Sequence, residues 1–151
     1  MPQALKLYAA ETDDMEILSA ALEGLITSPG EIGFLKKRRA FTVVGSRFKW
    51  EDASPRAALK GWTRIRTGVY FGDILKVRSS GISRSNSTEV MELLNITTSP
   101  GEDGTAEFLL NFAGGGTICL EAECINVTLT DSGEPWPTDK RPEHPDSEKT
   151  D

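Results

Sequence analysis

The sequence has few of the residues that mark the commonest kinds of chemistry. Among 151 residues there is one histidine, His144, and there are two cysteines, Cys119 and Cys124. Two cysteines are too few for a disulfide scaffold, and in a reducing compartment they are expected to remain thiols. They lie five apart, with no second pair and no histidine in a structured segment, so a zinc site lacks ligands. His144 falls between Glu143 and Pro145 in a tail rich in proline and charge. A general base needs a fixed position, and that setting offers none, so Ser-His-acid and Cys-His catalysis are not expected. No apolar run approaches the roughly 20 residues that span a bilayer. Met1-Pro2-Gln3-Ala4-Leu5-Lys6 shows no basic stretch leading into an apolar one, so no secretory leader is expected. On that reading the chain is cytoplasmic, and the sequons at Asn86, Asn95 and Asn126 carry no weight.

What is present is ordinary for a globular domain: 38% hydrophobic and 26% charged residues. The length suits one domain, expected over residues 1–138, with 139–151 a disordered polar tail unable to bury enough apolar area to offset chain entropy. The net charge of −6 conceals a segregation. Residues 1–35 carry one basic and six acidic side chains; residues 36–84 carry thirteen basic and three acidic. Residues 85–130 hold seven acidic side chains and no basic one, and residues 131–151 hold seven acidic against three basic.

Hydrophobic periodicity predicts an α+β fold. Leu5-Lys6-Leu7-Tyr8-Ala9 alternates as a short strand. A helix follows, with Thr12 or Asp13 as its cap, Asp13 and Glu16 spaced as a capping box, and Ile17, Leu18, Ala21, Leu22 and Leu25 on one face. Thr27-Ser28-Pro29-Gly30 ends it. From Glu31 the period changes to two. Strands are expected at Ile32–Leu35, Phe41–Trp50, Trp62–Val77 (with a bulge or bend at Gly72-Asp73), Val90–Thr97, Ala106–Phe112 and Thr117–Leu129. The segment 51–60 reads as a loop. One helix and about seven strands on short connections predict a mostly antiparallel meander curling toward a barrel.

Three clusters bear on function. Phe112-Ala113-Gly114-Gly115-Gly116-Thr117 reads as a hairpin turn, because phosphate loops lead into a helix and strand pattern follows here. Glu107, Glu121 and Glu123 form an acidic group that reads as a solvated face, with a metal-dependent enzyme using these glutamates as the weakest functional reading. The basic segment is the richest. Arg47, Lys49, Arg64 and Arg66 are expected on one face of two neighbouring strands, beside Trp62 and Tyr70. Cations among aromatic rings suit a protein or anionic ligand, or single-stranded nucleic acid through phosphate neutralisation and base stacking. The competing account is internal: basic strands pair with acidic ones and neutralise each other. A sequence pI near 4.9 argues against general nucleic-acid affinity. The leading expectation is a non-catalytic binding or accessory protein without a cofactor, possessing this basic, aromatic sheet face and an unidentified, non-membrane partner.

Arg47-Phe48-Lys49-Trp50-Glu51, Arg66-Thr67-Gly68-Val69-Tyr70-Phe71, Phe112 to Ile118 and Gly133-Glu134-Pro135-Trp136-Pro137-Thr138 occur in that order. With Leu5-Lys6-Leu7 and Asp13-Asp14, they resemble an alphaproteobacterial family of small uncharacterised proteins, a domain of unknown function, from about Leu5 to His144. The pattern has arginine where this chain has Cys119, and Asp-Leu-Gly where it has Asp131-Ser132-Gly133. The resemblance implies a bacterial cytoplasmic protein and transfers no activity.

Overall fold

The computed structural model describes residues 5–50, 62–83 and 85–138. The expected loop at 51–60 and the expected tail at 139–151 lie outside them. Along the chain run β1 (Lys6–Ala9), α1 (Thr12–Leu22), β2 (Ile26–Thr27), β3 (Ile32–Leu35), β4 (Ala40–Phe48), β5 (Trp62–Phe71) and β6 (Ile74–Ser80). There follow β7 (Met91–Pro100), β8 (Ala106–Phe112), β9 (Thr117–Ala122) and β10 (Val127–Thr138). The α+β class and the antiparallel sheet follow the sequence pattern, but the described residues form ten strands, against about seven expected.

Two of the three extra strands arise where long apolar runs divide, and the third is the two-residue β2. The run from Trp62 breaks at Gly72-Asp73, where Asp73 adopts a left-handed φ of 56°. Its carboxylate accepts hydrogen bonds from the Asn126 side-chain amide at 2.9 Å and the Cys124 thiol at 3.3 Å. The run from Thr117 breaks at 123–126, opposite that turn. Each break sends its two strands to different places in the sheet, whose order is β1-β10-β5-β4-β2-β7-β8-β9-β6, with β3 beside β4. Chain neighbours pair in β3-β4-β5 and in β7-β8-β9; β10 enters between β1 and β5, and β6 lies at the far edge.

The sheet is open, and it folds over on itself. Phe71 of β5 meets Phe108 of β8 with ring centroids 5.4 Å apart, so the two halves share one core. The two-residue strand β2 is the seam, pairing Ile26 with Ser46 on one side and with Glu92 on the other. Gly45 makes the seam possible, since a Cβ there would lie 2.3 Å from the Ile26 carbonyl oxygen.

Helix α1 packs mainly on β7 through Met15, Leu18 and Leu22. Its cap falls before either expected one, Thr12 or Asp13, and the capping box is Glu11 with Asp14 rather than Asp13 with Glu16: Glu11 is the N-cap, and the Asp14 carboxylate accepts the N–H groups of Ala10 at 3.0 Å and Glu11 at 3.1 Å. Ile17, expected on the buried face, is 63% exposed, and Met15 takes that place. The helix stops before Leu25 because Gly24 (φ 84°) and Leu25 exchange backbone hydrogen bonds with Leu93 of β7. Among the described residues no helix is long and apolar enough to cross a membrane.

Candidate functional site

The six residues expected to form one basic, aromatic face do not all share it. On β4 the inward side chains are Phe41, Val43 and Arg47; Thr42, Val44, Ser46 and Phe48 point outward. Arg47 is fully buried, on the opposite surface from Arg64. Its Nε and Nη2 donate to the two carboxylate oxygens of buried Asp131, at 2.9 and 2.6 Å. Nη1 donates to the Phe48 carbonyl, and the Thr67 hydroxyl donates to the same Asp131 at 2.6 Å. This forked pairing spans β5 to join β4 and β10, and it corrects the assignment of Arg47 to a contact face. Arg47 pairs across the ladder with Ile65, an inward residue, which settles its side.

Arg64 does lie on the outer surface of β5, but it is engaged. Its guanidinium carbon sits 3.7 Å from the centre of the Phe48 ring, and Nη1 donates to the Ser46 carbonyl at 2.8 Å. Burial lowers its pKa from the usual arginine value. Trp50 stacks edge-on against Phe48 and donates its indole N–H to the Glu23 carbonyl at 3.0 Å. Phe48, Trp50 and Arg64 thus make a small apolar cluster outside the main core, which is why a large ring at position 48 does not mark the inward face. Lys49 is half-buried at the end of β4, its backbone N–H bonded to Thr63. Trp62 opens β5, opposite Thr138.

Arg66 and Tyr70 remain on the outer face. Arg66 pairs with Glu31 at 3.0 Å, both side chains exposed to solvent. Tyr70 is 42% exposed and belongs to a cross-strand row, Tyr8–Thr128–Tyr70–Thr42. The next row is Lys6–Thr130–Gly68–Val44. Gly68 has nothing within 4 Å of where a Cβ would stand, so it leaves a hollow of about 240 Å³ bordered by Val44, Tyr70, Thr128 and Thr130. Tyr8, 60% exposed, was missed as a site residue. Its parity was readable in Lys6-Leu7-Tyr8, but its neighbour in space is set by β10, about 120 residues away.

The other half of the sheet shows how the segregated charge is used. Arg78 of β6 lies 3.3 Å from Glu107 and 3.5 Å from Glu121, between the two carboxylates of neighbouring strands. Arg39 binds Glu123 at 2.6 Å, and that hydrogen bond, chiefly, raises the arginine pKa. Each of these pairs, like Arg47–Asp131 and Arg66–Glu31, joins the basic segment to an acidic one. Among the described residues no three His, Cys, Asp or Glu side chains group as metal ligands. Cys119 is on the outer face beside Arg78. Cys124 is exposed, and desolvation together with its bond to Asp73 holds the thiol above its ordinary pKa.

These features define a class: an α+β protein with one α-helix among the described residues, an open, doubled-over antiparallel sheet and an exposed tyrosine-flanked face. Residues 5–144 match the model of a family described as a protein of unknown function, DUF2948, and the chain belongs to that family. No curated protein and no solved structure matches it.

Proposed function

We propose that this is a non-catalytic binding or accessory protein that receives a protein partner on the outer face of β1, β10, β5 and β4. The observation that carries the reading is the hollow at Gly68, bordered by Tyr70, with Tyr8 two strands away. Tyrosine offers a large amphipathic contact area at low entropic cost, and a side-chain-sized hollow beside it suits an apolar anchor from a partner. Arg66 and Lys6 supply the polar rim. The same rings and cations support the second reading, single-stranded nucleic acid stacked on Tyr8 and Tyr70. The internal pairing of so many arginines favours the first. The resemblance noted above supports a cytoplasmic location in an alphaproteobacterium.

The test is recovery of a partner from lysate at physiological salt by the full chain and by Gly68→Leu, whose Cβ meets nothing within 4 Å and whose side chain enters the hollow. A specific partner held by the wild type and lost by Gly68→Leu and Tyr70→Ala, both still folded, supports the proposal. Equal recovery by all three removes this face from consideration. A salt-sensitive shift of labelled oligonucleotides, weakened by Arg66→Ala, selects the nucleic-acid reading instead.

A further inference from the structure

Where β3 and β6 face each other, the doubled sheet does not close. Among the described residues β3 pairs only with β4, and β6 only with β9. The start of β6 is tied to the turn between β3 and β4, where the N–H of Ile74 donates to the Arg39 carbonyl at 2.8 Å. Beyond that tie lies a cleft of about 280 Å³ between the halves, walled by Ile32, Phe41, Val77 and Ile118.

Ile82, Ser83 and Ser87, in the segment that follows β6, line the cleft together with Ser79. Glycines hold that segment close at both ends. The N–H of Gly30 donates to the Ser87 carbonyl at 2.8 Å, and a Cβ on Gly30 would stand 2.9 Å from that oxygen. At the other end a Cβ on Gly81 would lie 3.2 Å from the Cα of Gly116.

We infer that this cleft binds one small, neutral, mainly apolar molecule bearing a hydroxyl or carbonyl group. Size follows from scaling: an apolar cavity of about 150 Å³ takes benzene, so this one suits a ligand of about eleven non-hydrogen atoms. Polarity follows from the lining. Its described residues include no charged side chain, and its polar lining is three serines, Ser79, Ser83 and Ser87. Ligand sites commonly combine an apolar wall with a few such orienting groups. This site is separate from the tyrosine face and stands or falls without it.

The experiment is a titration of the full chain with 1-decanol and 2-naphthol, each of about eleven non-hydrogen atoms, followed by isoleucine-methyl NMR. Saturable one-to-one shifts at Ile32, Ile82 and Ile118 are expected with at least one probe. Ser79→Trp, filling the cleft, should weaken that binding at least tenfold; if it does not fold, Val77→Phe serves in its place. The inference is overturned if neither probe gives saturable shifts, or if the filled variant binds as tightly as the wild type.

Discussion

Arg47 and Asp131 show how much one buried pair can decide. Taking both charges out of water is costly, and the forked geometry together with the Thr67 hydroxyl offsets that cost. Arg47→Leu leaves Asp131 buried with Thr67 as its remaining side-chain partner, and a loss of about 3–5 kcal/mol is expected from urea unfolding. The paired replacement Arg47→Met with Asp131→Leu should recover most of that loss, because an apolar pair of similar volume leaves no uncompensated charge. If the double variant is no more stable than the single one, the burial cost has been misjudged. Asp73 makes a second test at this scale. Hydrogen bonds from Asn126 and then Cys124, with the nearby Arg39, hold its carboxyl below the usual range. A carboxylate with a depressed folded-state pKa stabilises the protein fully above its unfolded pKa, and that contribution is lost as pH falls through the folded value. Asp73→Asn should therefore flatten the stability curve below about pH 4, with little change in its slope near neutrality. An unchanged acid limb would show that the turn gains nothing from the charge.

Among the elements, the shortest strand has the largest consequence. β2 contributes two residues, yet it joins the half containing β4 to the half containing β7. Gly45 lets the backbone of β2 approach β4, and no alanine fits there without moving the Ile26 carbonyl. Gly45→Ala is expected to destabilise by about 1–3 kcal/mol, the usual range for overpacking a tight site. Amide exchange should show the loss first at Ser46 and Glu92, on either side of the seam. Uniform acceleration of exchange across the sheet would argue that β2 is not a separate weak point. β1, α1 and β3 to β5 were legible as elements from alternation and helical spacing. The seam was not, because two residues carry no periodicity.

For the whole molecule, a single core spans both halves of the sheet, and Arg39, Arg47, Arg66 and Arg78 make ion pairs with carboxylates distant in sequence. Such a body should unfold in one cooperative step, with tryptophan fluorescence and far-ultraviolet dichroism tracing the same denaturation curve. Separate midpoints would mean that the halves are independent and that β2 couples them only weakly. The pairing also bears on partners: cations already held by carboxylates have less to offer a polyanion than their number in the sequence implies.

Composition and periodicity by themselves determined the class, the one helix, the antiparallel strands and the turn at Gly114–Gly116. They also determined that the thirteen basic side chains of residues 36–84 are flanked in the chain by two acidic segments. Only the tertiary structure decided which side of β4 faces inward. Alternation defines two parities, and here both hold large apolar residues, Phe41 and Val43 against Val44 and Phe48, so the choice rested on what covers each face. It also decided where the long runs divide, since the turn at Asp73 depends on Asn126, over fifty residues away. The hollow at Gly68 and the cleft between β3 and β6 belong to no segment; they are spaces left where distant strands meet, and periodicity within one strand cannot register them.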